Sequence, residues 1–149
     1  MLSSKPIRLI ESHEEELAAS VLRSIRHHPD LPHLGKLPDW ELRERGRDIL
    51  RNLDHFLRRR DEDQLAQEYE NLGKLRFEQG VPLDESMRAF LLLKQKMIEH
   101  IDEQGTDQDY LALYAEEQFE RRIGQFFDFL TIHLARGYER AWRHTAHAG

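Results

Sequence analysis

The sequence predicts an all-α protein, either a helical bundle or a globin-like stack of five to six helices. Apolar residues recur every three or four positions through most of the chain. Three of the five prolines fall in one segment, residues 28–38, and residues 108–144 contain no proline. The chain of 149 residues has no internal repeat and no dividing linker, so we expect a single domain over residues 1–149.

The first helix is predicted over residues 6–27. Its apolar stripe is Ile7, Ile10, Leu17, Val21 and Ile25. Residues 28–38 are too rich in proline to be helical throughout. Three leucines in this segment indicate that it packs against the bundle.

A second helix is predicted over residues 39–60 with Asp39 as its cap, and a third over residues 62–79. Gly73 lies beside the apolar stripe of the third helix, where a helix former would be expected, which indicates that a neighbouring backbone comes close at that point. Arg76 continues the same stripe and needs a partner if it is buried. Asp84 and Glu85 are the candidates for that partner.

The third and fourth helices meet at a three-residue corner. Gly80 suits the left-handed conformation that closes a helix, and Pro82 suits the start of the next one. Glu85 places negative charge near the positive end of the fourth helix, predicted over residues 82–104. So short a connection makes the two helices antiparallel neighbours.

The last predicted helix, residues 108–144, would be about 55 Å long. It must bend, for example near Gly124, or project beyond the body. Its aromatic and apolar content exceeds what one seam of a small bundle needs, and this excess predicts a homodimer. The predicted dimer interface consists of Phe126, Phe127, Leu130, Leu134, Tyr138 and Trp142.

Composition argues against several classes of protein. A net charge of −6 argues against nucleic-acid binding, and the absence of cysteine excludes zinc–thiolate sites and thiol nucleophiles. No apolar run is long enough to span a membrane, so we expect a cytoplasmic protein. Nucleophile, phosphate-loop and dinucleotide motifs are missing, and no histidine has a glutamate three positions before it. We therefore expect neither an enzyme nor a cofactor.

Two alternatives stay open. His133 lies between Ile132 and Leu134 on a predicted helix and is the best candidate for a haem ligand in a globin-type sensor. Arg76 is the candidate anchor for an anion in a bundle that binds a small molecule.

The residues around the corner read L-G-x-x-R-x-x-Q-G-x-x-L-x-E, from Leu72 through Arg76, Gln79 and Gly80 to Glu85. This pattern resembles the RsbRD-type N-terminal sensor domain of bacterial stressosome-related regulators, the RsbT co-antagonist family. The resemblance implies an all-α regulatory module, dimeric and globin-like without haem, in which Arg76, Gln79 and Gly80 matter most. We therefore expect a non-enzymatic sensory domain that relays a signal through its last helix.

Overall fold

The computed structural model describes residues 14–57, 62–104 and 110–148, with side chains of the last range described from 117 to 146. Every regular element in these ranges is helical, which confirms the all-α prediction. The helices are α1 (Glu14–His27), α2 (Asp39–Leu57), α3 (Glu62–Glu78), α4 (Leu83–Gln104) and α5 (Tyr110–Ala148), with a 3₁₀ turn (Leu34–Lys36) between α1 and α2. The predicted start of the first helix and Arg58–Arg60 lie outside the described residues.

The segment between α1 and α2 packs against the bundle, as predicted. Leu31 and Leu34 are buried in the core that all five helices share. Arg26 fastens the same segment from the end of α1, because its guanidinium donates to the carbonyl oxygens of Gly35 and Leu37. The Arg26 guanidinium also pairs with Asp39 at the start of α2.

Aromatic rings of α5 contact aromatic rings of α2 and α4 in the core. The ring of Phe126 lies 5.4 Å from that of Phe56 on α2 and 5.2 Å from that of Phe127. Phe127 in turn lies 6.3 Å from Phe90 on α4. The aromatic excess predicted for the last helix is therefore used largely within the chain.

Five of the six residues predicted to form a dimer interface lie inside the same chain. Phe126, Phe127, Leu130, Leu134 and Tyr138 are all buried. Trp142 is 61% exposed and is the only one of the six on the surface. The predicted interface stays a prediction, and in this structure Trp142 alone could serve it.

Helices α3 and α5 approach each other closely at a pair of glycines. A Cβ atom added to Gly137 would lie 2.1 Å from the carbonyl oxygen of Glu70, and one added to Gly73 would lie 2.2 Å from that of Leu134. Neither position tolerates a side chain unless the helices separate, because both obstacles are backbone atoms. This confirms the close approach predicted from Gly73.

We expect Gly137→Ala to lower the free energy of unfolding by roughly 1–3 kcal/mol or more, because the methyl group overpacks a rigid contact. Gly124→Ala is the matched control in the same helix, since a Cβ there meets nothing within 4 Å. The control should stabilise the helix by up to about 1 kcal/mol. Urea denaturation followed by circular dichroism measures both, and equal tolerance of the two substitutions would contradict the close contact.

Candidate functional site

The corner between α3 and α4 is closed by a paired hydrogen-bond motif. Gly80 has φ 76°, the conformation predicted for it. Its N–H donates to the Phe77 carbonyl at 3.0 Å, and the N–H of Val81 donates to the Arg76 carbonyl, also at 3.0 Å. This is the Schellman arrangement, which satisfies carbonyls that the end of a helix leaves without partners.

Arg76 and Gln79 together hold one carboxylate of α2. The guanidinium of Arg76 donates to Glu41 Oε1 at 2.7 Å, and the Gln79 amide donates to the same oxygen at 2.7 Å. A third hydrogen bond, from the Arg76 guanidinium to the side-chain amide oxygen of Gln79 at 2.8 Å, completes the cluster. The prediction that Arg76 pairs with Asp84 or Glu85 was wrong, because α2 lies nearer to this face of α3 than the predicted corner suggested.

Burial decides the electrostatics of this cluster. The Arg76 side chain is 4% exposed, and loss of solvent lowers its pKa although the charge of Glu41 opposes that shift. Burial by itself raises the pKa of Glu41, but the hydrogen bonds from Gln79 and Arg76 outweigh it, so the pKa lies below its usual value. Both groups are therefore charged at neutral pH and depend on each other.

Glu85 binds the segment between α1 and α2 rather than Arg76. Its carboxylate accepts the backbone N–H groups of His33 at 2.9 Å and Leu34 at 3.0 Å, where the 3₁₀ turn begins. The other carboxylate oxygen lies 2.5 Å from His33 Nδ1. A buried acid thus caps the turn, and three polar partners satisfy its carboxylate.

Tyr138 joins α5 to the corner. Its hydroxyl donates to the Val81 carbonyl at 2.8 Å and lies 2.8 Å from the Ser86 hydroxyl. Its ring meets Phe77 edge to face at 6.3 Å. The pKa of Tyr138 is raised because the phenol is buried. The tyrosine therefore acts as a neutral hydrogen-bonding bridge between α5 and the end of α3.

His133 lies in a second charged cluster, beside the glycine contact. Its Nδ1 is 2.8 Å from Glu70 Oε2, and its ring packs 4.6 Å from Phe129. Arg140 donates to the other carboxylate oxygen of Glu70, Oε1. The guanidinium of Arg136 lies 4.0 Å from Glu70 Oε2. This arrangement gives His133 a structural partner on α3, and its role as a haem ligand stays a prediction.

Within the described ranges, no three histidine, aspartate or glutamate side chains converge as metal ligands would. Across the same ranges, no helix is both long enough and apolar enough to cross a lipid bilayer.

The sequence did not single out Glu41, Glu70 or the inward role of Tyr138. Glu70 carried one usable signal, since it lies one helical turn before the close-approach glycine, Gly73. Glu41 carried none, because only the packing of α2 against α3 brings it to Arg76. The motif residues lie in one region around Gly80 but form two separate hydrogen-bond networks. Arg76 and Gln79 bind Glu41, whereas Glu85 caps the 3₁₀ turn.

We expect Glu41→Ala to lower the free energy of unfolding by about 3–5 kcal/mol, because it leaves the Arg76 guanidinium buried without a counter-charge. Glu44→Ala, an exposed position on the same helix, should change it by less than about 0.5 kcal/mol. Urea titrations at neutral pH compare the two. A similar loss of unfolding free energy in both variants would show that Arg76 does not depend on Glu41.

The lowered pKa of Glu41 predicts a specific pH dependence. Since the folded pKa lies below the unfolded one, the carboxylate stabilises the protein above the ordinary value of 4.5, and this contribution disappears as the pH falls through the folded pKa. Glu41→Gln should therefore lose less stability than the wild type between neutral and acidic pH. Urea midpoints across that range measure the difference, with Glu44→Gln as control, and a parallel loss in Glu41→Gln would contradict it.

Comparison with known proteins agrees with this geometry. Residues 15–148 match the family model described as the RsbT co-antagonist protein rsbRD N-terminal domain. No curated protein and no solved structure matched the chain. The match covers almost the whole sequence and includes the corner, the glycine contact and all of α5. The chain therefore belongs to the family of RsbRD-type N-terminal domains, which are found in regulators of stress signalling.

Proposed function

We propose that this chain is a non-enzymatic sensory domain of a bacterial, cytoplasmic stress-signalling protein, which forms a homodimer and relays a signal through α5. Membership of the regulatory family supports the role in signalling. One structural observation carries the proposal for α5. Its core-facing residues end at Ala141, and residues 142–146 are all exposed, so the helix continues past the body of the domain.

The length and attachment of α5 suit a relay. Its 39 residues correspond to about 58 Å of helix. The contact between Gly73 and Gly137 joins it rigidly to α3, and Tyr138 joins it to the corner. Because packed backbones cannot be compressed, a shift of α3 or of the corner moves α5 as a unit.

A second copy of the chain is the partner that best fits the exposed side of α5. Ile132, Ala135, Glu139 and Trp142 follow one another at spacings of three, four and three residues, which places them on one stripe. Ile132 is 58% exposed, so the two large apolar side chains of the stripe, Ile132 and Trp142, both face solvent. Such a stripe is typical of a helix that packs against another helix.

The stripe complements itself in charge and in shape. When two copies of α5 cross antiparallel about a two-fold axis midway between residues 132 and 142, Trp142 of one copy meets Ile132 of the other. Glu139 then lies opposite Ala135, beside Arg136, whose side chain is 52% exposed. A groove of about 610 Å³ borders the stripe and is lined on its other side by Pro82 and Leu83, which extends the apolar surface around Trp142.

We expect the wild type to be a dimer in solution and Trp142→Glu to raise the dimer dissociation constant at least tenfold, as for an aromatic residue at the centre of an interface. Trp40→Glu is the matched control, since Trp40 is equally prominent on the surface at 69% exposure but lies on α2. Sedimentation velocity over a range of concentrations measures the mass. A monomeric wild type would refute the dimer, and a dimer unaffected by Trp142→Glu would refute this surface.

A further inference from the structure

A partly open cavity of about 60 Å³ lies where the five helices meet. Each helix contributes apolar walls to it: Ile25 from α1, Ile49 from α2, Leu72 from α3, Phe90 from α4 and Leu134 from α5. All five of these side chains belong to the buried core. The cavity therefore reaches into the core of the domain, where native proteins are otherwise closely packed.

The polar part of the lining is positively charged. Two arginines, Arg45 and Arg76, line the cavity together with Ser86, and no acidic residue belongs to its lining. Arg76 already has Glu41 at 2.7 Å. The carboxylates nearest to Arg45, on Glu68 and Asp48, are 3.8 and 4.0 Å away, beyond hydrogen-bond distance.

The two guanidinium groups act on each other. After burial, the charge of Arg45 is one of the causes that lower the pKa of Arg76. A negative group between them would relieve this repulsion and supply Arg45 with a partner at hydrogen-bond distance. The charge distribution around the cavity thus favours an anion over a neutral or cationic molecule.

Size restricts the anion further. At about 10–15 Å³ for each water molecule, the cavity accommodates roughly four to six non-hydrogen atoms. Its walls are apolar except at the arginine end, so the ligand needs a short hydrocarbon part as well as a charged head. A carboxylate of two to four carbons meets both requirements.

We propose that this cavity binds a short-chain carboxylate, with its charged head on Arg45 and Arg76 and its hydrocarbon part against the apolar walls. The inference deepens the proposed sensory function by naming the class of signal. The effect of the ligand on signalling rests on that proposed function, whereas the binding of the ligand does not.

The cavity is connected to α5, the proposed relay, through hydrogen bonds. The carbonyl of Arg76 accepts the N–H of Val81, and the carbonyl of Val81 accepts the hydroxyl of Tyr138 on α5. Ser86, which lines the cavity, contacts the same hydroxyl. An anion that draws Arg76 towards the cavity therefore acts on the corner and on α5 together.

Isothermal calorimetry and thermal denaturation of the full chain with acetate, propionate and butyrate test the proposal. We expect saturable binding and a rise in melting temperature with at least one of these carboxylates. Propionamide, which lacks the charge, and octanoate, which exceeds the volume, should have no such effect. No saturable binding by any of the three at concentrations up to about 50 mM, far above a millimolar dissociation constant, would overturn the inference.

Arg45→Gln supplies the decisive variant, because Arg45 lies outside the hydrogen-bonded cluster of Glu41 and Arg76 and its loss should leave the fold intact. Its dissociation constant for the bound carboxylate should rise at least tenfold. Arg43→Gln removes an equal charge from an exposed position of the same helix and should bind like the wild type. Equal weakening by both variants would show general charge attraction and would overturn the site.

Oligomeric state separates this inference from the proposed function. A monomeric protein that binds propionate through Arg45 would refute the dimer and support the cavity site. A dimer that depends on Trp142 but binds none of the three carboxylates would support the dimer and refute the site.

Discussion

The contact of two backbones at Gly73 and Gly137 constrains the rest of the structure. At this point α3 and α5 lie so close that neither glycine can be replaced by a residue with a Cβ atom unless the helices separate. The two helices accordingly share the most extensive interface in the described part of the molecule. Glu70 completes the contact on one side, where His133 and Arg140 bind its carboxylate, so the register of the two helices is determined by sterics and by charge.

The corner depends on that register. Tyr138 follows Gly137 directly, and its hydroxyl reaches the Val81 carbonyl only when α5 lies against α3 at the observed depth. From there, hydrogen bonds lead through Arg76 to Glu41 on α2. Each of these buried polar groups has a partner, which is the condition under which such a network makes a fold specific instead of weakening it.

These contacts give the family motif a physical meaning. Arg76 and Gln79 secure α2 through one carboxylate, and Gly80 closes α3. Glu85 caps the turn between α1 and α2. The motif therefore connects α2, α3 and the turn between α1 and α2 at a single corner. This corner in turn contacts both the cavity and α5. A regulator needs such a region, in which a local change has consequences for every neighbouring helix.

Much of the fold could be predicted from the sequence, because helices depend on periodicity, caps and helix breakers, which are local properties. The bounds predicted for the third and fourth helices agree with α3 and α4 to within one residue, and Gly80 adopts the expected conformation. The close approach at Gly73 was predictable for the same reason, since a glycine inside a helix has a local cost that some contact must offset.

The sequence by itself determined the helices, the corner and the family. Only the tertiary structure decided which charges meet and which apolar side chains remain on the surface. Arg76 binds Glu41, which lies 35 positions away, and Tyr138 faces the interior instead of a second chain. The reason is physical: partners so far apart in the sequence are brought together by helix packing, and a periodic pattern shows that a face is apolar without showing what covers it.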